Sequence, residues 1–196
     1  MRGAGPQRTQ GACGPAESGR EKPGRREPVT ANATPAAALV PRGGPRPKSD
    51  AAIVVCCDGA YDPVSDVAVW AWVAWYGNFV TRAYGPAELR DSNAAEYAAL
   101  MAAIRWLLKS GYSNETIEVF SDNDVCICHL LRSETRNRWH DPTQARDLLG
   151  RFRALTIRWV SRAWNKDADA LARKAIKMAR EGALTGTEIH SYWRGW

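Results

Sequence analysis

The sequence is poor in cysteine, histidine and long apolar runs, and each shortage narrows its chemistry. Its five cysteines, Cys13, Cys56, Cys57, Cys126 and Cys128, are odd in number and fall mostly inside predicted strands and helices, which excludes a disulfide framework. Cys126 and Cys128 lie too close together for the C-x-x-C spacing of zinc sites. They read as reduced, buried small hydrophobes of an intracellular protein. Three histidines, His129, His140 and His190, stand apart from one another and read as surface or structural residues. No apolar run approaches the ~18–20 residues of a membrane helix. The longest apolar piece near the start, Ala36 to Val40, is too short for a signal peptide core. A cytoplasmic protein without membrane contact is expected, with a monomer as the default.

The domain also lacks an excess of charge. The whole chain carries +6, but residues 1–50 alone hold nine basic and four acidic side chains. The remainder has eighteen basic and seventeen acidic residues, so any anionic partner must be met by local clusters. Residues 1–50 are rich in Gly, Pro, Arg and Ala with almost no large apolar side chain. Such a segment cannot offset its ordering entropy and is expected to be a disordered basic extension. Its arginines either hold nucleic acid loosely or are simply solvated. The composition changes at residue 51, where a domain over 51–182 begins, followed by a tail over 183–196 without clear pattern. Nine tryptophans are many for this length and read mostly as core.

The domain opens with Ile53-Val54-Val55-Cys56-Cys57, a buried strand that stops on Asp58-Gly59. Val67 to Tyr76 and Phe79 to Tyr84 predict two further strands joined by a Gly77-Asn78 hairpin. Ser92 to Lys109 is the clearest helix, with Leu100, Met101, Ile104, Leu107 and Leu108 at helical spacing and Gly111 just beyond. Thr116 to Ser121 is a short strand closed by Asp122, and a helix follows from near Asn123 to about Leu131. Asp141-Pro142 opens another helix, and Leu155 to Val160 is the last strand. Asn165 caps a final helix bearing Asp167 and Asp169 in its first turns. The order predicts an α/β fold: a mixed five-stranded sheet, three antiparallel strands then two parallel, with helices on both faces.

Four carboxylates punctuate these elements. If the strands ending at Asp58 and Asp122 are neighbours, two anions stand side by side and need a cation, for which oxygen ligands favour magnesium or manganese. Glu96 shares the helix stripe of Leu100 and Ile104 that packs on the sheet; it is either part of that site or a partner of the helix dipole. Asp169 and Asp167 compete for a fourth position, and spacing does not decide between them.

Strand-Asp58-Gly59, Ser92-Asn93-Ala94-Ala95-Glu96, Phe120-Ser121-Asp122 and Asn165-Lys166-Asp167-Ala168-Asp169-Ala170-Leu171-Ala172 together resemble the type 1 ribonuclease H family, in its compact, reverse-transcriptase-like branch. The resemblance spans nearly all of residues 53–180. It implies an endonuclease that hydrolyses the RNA strand of RNA–DNA hybrids with two Mg²⁺ ions, Mn²⁺ being a substitute, leaving 5′-phosphate and 3′-hydroxyl ends. Asp58, Glu96, Asp122 and Asp169 match the metal-binding catalytic quartet, with Asp58 as the bridge. Gly59, Asn93 and Arg162 match substrate contacts, the first and last less directly than the second.

Three departures stand out. The segment Tyr61 to Val67 has no glycine where the family often has an Asn-Pro-Gly turn. The loop Val160 to Asn165 has no histidine, and Arg162 offers a cation there rather than a proton shuttle. Leu131 to Pro142 leaves little room for a long basic protrusion, although Arg132, Arg136, Arg138 and Trp139 form a small basic-aromatic cluster. Another nuclease on the same fold, or a non-catalytic nucleic-acid-binding module, is the alternative.

Overall fold

The first apolar run extends further than its sequence suggests. Strand β1 spans Ile53–Asp62 and turns through Pro63 to Asp66 into β2, Val67–Tyr76. A two-residue turn with Gly77 at φ 53 leads to β3, Phe79–Pro86. The positive φ is one that glycine adopts without steric cost. A computed structural model describes residues 49–194. The extension expected over residues 1–50 therefore lies, apart from its last two positions, outside the described residues.

Helix α1, Ser92–Lys109, begins where Asp91 accepts a hydrogen bond from Ala94 N–H at 2.9 Å and ends at Ser110, before Gly111 at φ 82. Strand β4, Thr116–Ser121, is followed by α2, Asp124–Arg132, and α3, Pro142–Leu149. Asn123 and Asp141 supply their N-terminal caps. Strand β5 spans Ala154–Trp159, α4 spans Lys166–Arg180, and β6 spans Glu188–Trp193.

The strands form one sheet in the order β5-β4-β1-β2-β3-β6. β1, β2, β3 and β6 are antiparallel neighbours, while β1-β4 and β4-β5 are parallel. The α/β class, the meander and the two parallel strands are those expected. A sixth strand is added to the five, from the segment 183–196 that the sequence leaves without pattern. Five of its six residues are exposed, so it lacks the one-sided apolar alternation that marks a half-buried strand.

Helices α1, α2 and α3 cover one face. Leu100, Ile104 and Leu107 of α1 pack there on Val55, Cys57 and Trp72. Helix α4 covers the other face, setting Leu171, Ala172 and Ala175 on Val69, Ala71 and Val73. The tryptophan-rich strand β2 pairs on both sides, so the Trp70 to Trp75 run is interior and offers no edge to a partner. Cys56, Cys57 and Cys126 are buried as expected, but Cys128 is exposed. Two residues along a helix turn a side chain by about 200°, which takes Cys128 off the face that buries Cys126. Among the described residues no helix is long and apolar enough to cross a membrane.

Candidate metal centre

Parallel pairing aligns the first two acids. The β1-β4 register ends at Cys56 opposite Phe120, and Asp58 and Asp122 each follow two residues later. Glu96 reaches them from the first turns of α1, on the stripe of Leu100 and Ile104. One carboxylate oxygen from each of Asp58, Glu96 and Asp122 lies within 4.8 Å of the others.

Glycine makes that approach possible. A Cβ on Gly59 would stand 2.2 Å from Glu96 N and 2.3 Å from Ala95 C, so β1 and α1 touch backbone to backbone. The Gly59 N–H donates to Glu96 Oε2 at 3.1 Å and fixes that carboxylate against the strand.

Asp122 is held by residues that the sequence marks for other work. Asn165 stands at the N-cap position of α4, yet its side chain makes no capping bond. Its Nδ2 instead donates to Asp122 Oδ1 and to the Cys57 carbonyl, each at 2.8 Å. The Asn165 side chain is fully buried, and its Oδ1 has no partner among the described residues. Trp159 Nε1 donates to the Asp122 carbonyl at 3.0 Å. Asn165→Ala would free Asp122 from its tether and is expected to weaken divalent-cation binding by about 10–100-fold. Calorimetric titration with Mn²⁺ checks this, with a thermal melt to show that the fold is kept.

Asn93 belongs to a second brace. Its Oδ1 accepts from Asn123 Nδ2 at 3.1 Å, Asn123 Oδ1 accepts from Cys126 N–H at 2.9 Å, and Cys126 Sγ donates to the Asn93 carbonyl at 3.2 Å. The starts of α1 and α2 are thereby tied together beside the acids. Neither Asn123 nor Cys126 carries a sequence signal for this role beyond the helix-capping position of the asparagine.

The two acids of α4 part company in the structure. Asp169 is buried and close enough to Asp58 to raise its pKa, whereas Asp167 is exposed. Asp169 is not among the three clustered acids, and both its oxygens are engaged by cations. Arg162 meets Oδ1 at 2.7 Å and Arg173, one turn along α4, meets Oδ2 at 2.6 Å. Arg162 was marked by the sequence and Arg173 was not; the i, i+4 spacing to Asp169 is the signal that points to it.

Burial first, then the charges of Asp122 and Asp169, hold the Asp58 carboxyl far above the ordinary carboxylate range. Glu96 is raised by burial and then by Asp58 and Asp122, against the lowering effect of the Gly59 N–H. For an acid whose folded pKa is raised, the folded chain binds more protons than the unfolded one. Stability without metal is then greatest below the unfolded value of about 4 and falls as pH rises. The window closes at about 8 for Asp58 and about 9 for Glu96. The gain in melting temperature on adding Mg²⁺ is expected to grow across that window; thermal melts with and without chelator, pH by pH, check it.

The turn after β1 closes on itself. Asp62 accepts from Val64 N–H at 3.1 Å, from the Ser65 hydroxyl and from Arg180 Nε at 2.7 Å. Asp66, at φ 50, is clamped by Arg90. This is the departure from the family's glycine turn, and side chains rather than glycines shape it. The loop before α3 is tied in as well. Trp139 packs on Tyr97 and His129, and buried His140 bonds the Tyr97 hydroxyl at 2.8 Å. Arg138 pairs with Asp91 and Arg136 with Asp141. His129 and His140 are structural, and His190 lies exposed on β6.

Comparison with known proteins agrees with this arrangement. The family model described as reverse transcriptase-like matches residues 56–175. The chain belongs to the reverse transcriptase-like family. It is therefore a type 1 ribonuclease H-like protein, and solved structures bear this out. Ribonuclease H1 from the halophilic archaeon Halobacterium salinarum is 30% identical, with a TM-score of 0.54 over 64% of this chain and 97% of that one. The N-terminal ribonuclease H domain of Rv2228c from Mycobacterium tuberculosis is 25% identical, with a TM-score of 0.57 over 67% of this chain and 97% of that one. Among curated proteins, the uncharacterized YpeP of Bacillus subtilis is 32% identical over 134 residues. That match takes in 63% of this chain but only 58% of YpeP.

Proposed function

We propose that this ribonuclease H-like protein is an endonuclease that hydrolyses the RNA strand of RNA–DNA hybrids with two divalent cations. The observation that carries the reading is the meeting of Asp58, Glu96 and Asp122 within 4.8 Å, an all-oxygen set in which burial first and then mutual repulsion raise the pKa values of Asp58 and Glu96. Such a donor set fits Mg²⁺, with Mn²⁺ as a substitute, and fits no soft metal. Asp58, Glu96, Asp122 and Asp169 would hold the ions. When bound, the ions supply activation of a water and stabilisation of the leaving 3′ oxygen, giving 5′-phosphate and 3′-hydroxyl products.

The remaining groups bind and orient. Asn93 keeps its amide NH₂ for a ribose 2′-hydroxyl while Asn123 fixes its carbonyl oxygen, and a 2′-hydroxyl is what distinguishes RNA from DNA. Gly59 contributes by having no side chain at the point where strand and helix meet. Arg162, 70% exposed at its side chain, faces solvent beside Asp169 and supplies a cation to the phosphate chain. With a nearly neutral domain, hybrid binding rests on a few such residues and is weak and salt-sensitive.

The test is cleavage of an RNA–DNA hybrid labelled on each strand in turn, with Mg²⁺, beside double-stranded DNA and double-stranded RNA. RNA-strand products with 3′-hydroxyl ends from the hybrid alone support the reading. Cleavage of DNA as readily would point to another nuclease on this fold. Binding without cleavage in Mg²⁺ or Mn²⁺ would point to a non-catalytic module.

A further inference from the structure

Strand β6 ends the sheet, and among the described residues it pairs only with β3. Proteins usually blunt such an edge with lysine, proline or a bulge. β6, Glu188-Ile189-His190-Ser191-Tyr192-Trp193, has none of these. Its register with β3 runs unbroken from Phe79 opposite Trp193 to Tyr84 opposite Glu188. At the other edge β5 carries Arg158 and is preceded by Arg153.

Three large apolar side chains beside the β6 edge are exposed among the described residues. Ile189 is 54% exposed, Trp193 57% and neighbouring Phe79 48%. Ile189 and Trp193 lie opposite Ala83 and Phe79, and so share the sheet face that α1 covers further in. Three such residues at one bare edge form a patch of the kind that marks an interface.

The sequence of the strand says what fits it. We propose that β6 is the contact of a symmetric dimer, in which β6 of a second copy pairs with it antiparallel about a two-fold axis at Ser191. In that register Ile189 lies opposite Trp193 of the second copy, His190 opposite Tyr192, and Glu188 opposite Arg194. Each cross-strand pair is complementary, two by apolar or aromatic contact and one by charge. Arg194 is placed to take part, since its N–H donates to the Asn78 carbonyl at 2.7 Å and keeps the chain alongside the sheet. Neighbouring registers fail. A two-fold axis at Tyr192 sets His190 against Arg194, and one at His190 sets Ile189 against Ser191.

An interface of this kind is isologous and closes on itself, so it gives a dimer rather than a fibre. It joins the two six-stranded sheets into one. β1 lies three strands from β6, roughly 14 Å away at ordinary strand spacing, so both clusters of acids stay open. The pairing is independent of the proposed nuclease activity.

Sedimentation equilibrium of the full chain from about 1 to about 200 µM tests it, in the range where small interfaces associate. The wild type is expected to rise from the 21.6 kDa of one chain toward twice that mass. Glu188→Arg and Arg194→Glu are each expected to weaken association by about tenfold or more, because each sets like charges opposite one another. An equimolar mixture of the two variants restores opposite charges across the axis and is expected to recover the dimer. Ile189→Lys is expected to abolish it, with circular dichroism confirming that each variant is folded. A constant single-chain mass for the wild type overturns the proposal. So does association of the single variants at wild-type strength, or a mixture no better than its components.

Discussion

Asp58→Asn is expected to lower hybrid cleavage by roughly 10²–10³-fold or more, and in the same protein to raise thermal stability when metal is withheld. The two effects share one cause. Asp58 is buried against Asp122 and Asp169, and its charge is disfavoured by both the loss of water and the neighbouring anions. An amide of the same shape removes that repulsion but cannot hold a divalent cation as a carboxylate does. At about pH 9 with chelator, where the wild-type carboxylates must ionise, the variant should gain roughly 0.5–2 kcal/mol. Adding Mg²⁺ should stabilise the wild type and leave the variant almost unchanged. Cleavage rates and melting curves on the same preparations measure both. Persistence of cleavage near the wild-type rate would refute the metal assignment. A variant less stable than wild type without metal would refute the repulsion argument.

The second large effect is expected from Gly59→Ala. The added methyl would collide with the backbone of Ala95 and Glu96, neither of which can swing away as a side chain could. Helix α1 must shift outward at its first turn, at a cost of about 1–3 kcal/mol. The same shift draws Glu96 away from Asp58 and Asp122 and lengthens the bond from Gly59 N–H to Glu96 Oε2. Urea denaturation is therefore expected to show a lower midpoint, and the folded variant a cleavage rate well below that of wild type. A midpoint equal to wild type would show that the helix absorbs the methyl without cost. Cleavage retained in a destabilised variant would show that Glu96 keeps its place despite the shift.

Much of the fold was legible because its signals are local. Helix α1 runs from Ser92 to Lys109 as its apolar spacing predicts, since one helical stripe must face the sheet wherever the helix lies. Strand β4 spans Thr116–Ser121 and strand β2 Val67–Tyr76, again as read. The C-terminal strand was not legible. Glu188–Trp193 buries almost nothing, and only its pairing with β3 makes it a strand. Strand order is likewise a property of the assembled sheet, and it places the Trp70 to Trp75 run inside because β2 pairs on both sides.

By itself the sequence determined an acid after the first strand, one on the packing stripe of α1, one after the fourth strand, and a pair of candidates on the last helix. Residue type and periodicity suffice for that, because they fix which face of an element a carboxylate occupies. Spacing left Asp169 and Asp167 open and the family resemblance favoured Asp169, but only the tertiary structure shows which of them stands beside Asp58. Burying the start of α4 against β1 brings Asp169 to Asp58 and leaves Asp167 in solvent. It alone turned Asn165 from a helix cap into the tether of Asp122, and brought Arg173 as well as Arg162 onto Asp169. Asn165 and Asp122 are 43 residues apart in the chain. No local pattern in the sequence encodes that contact; it arises when β4 and the loop before α4 come together at the same end of the sheet.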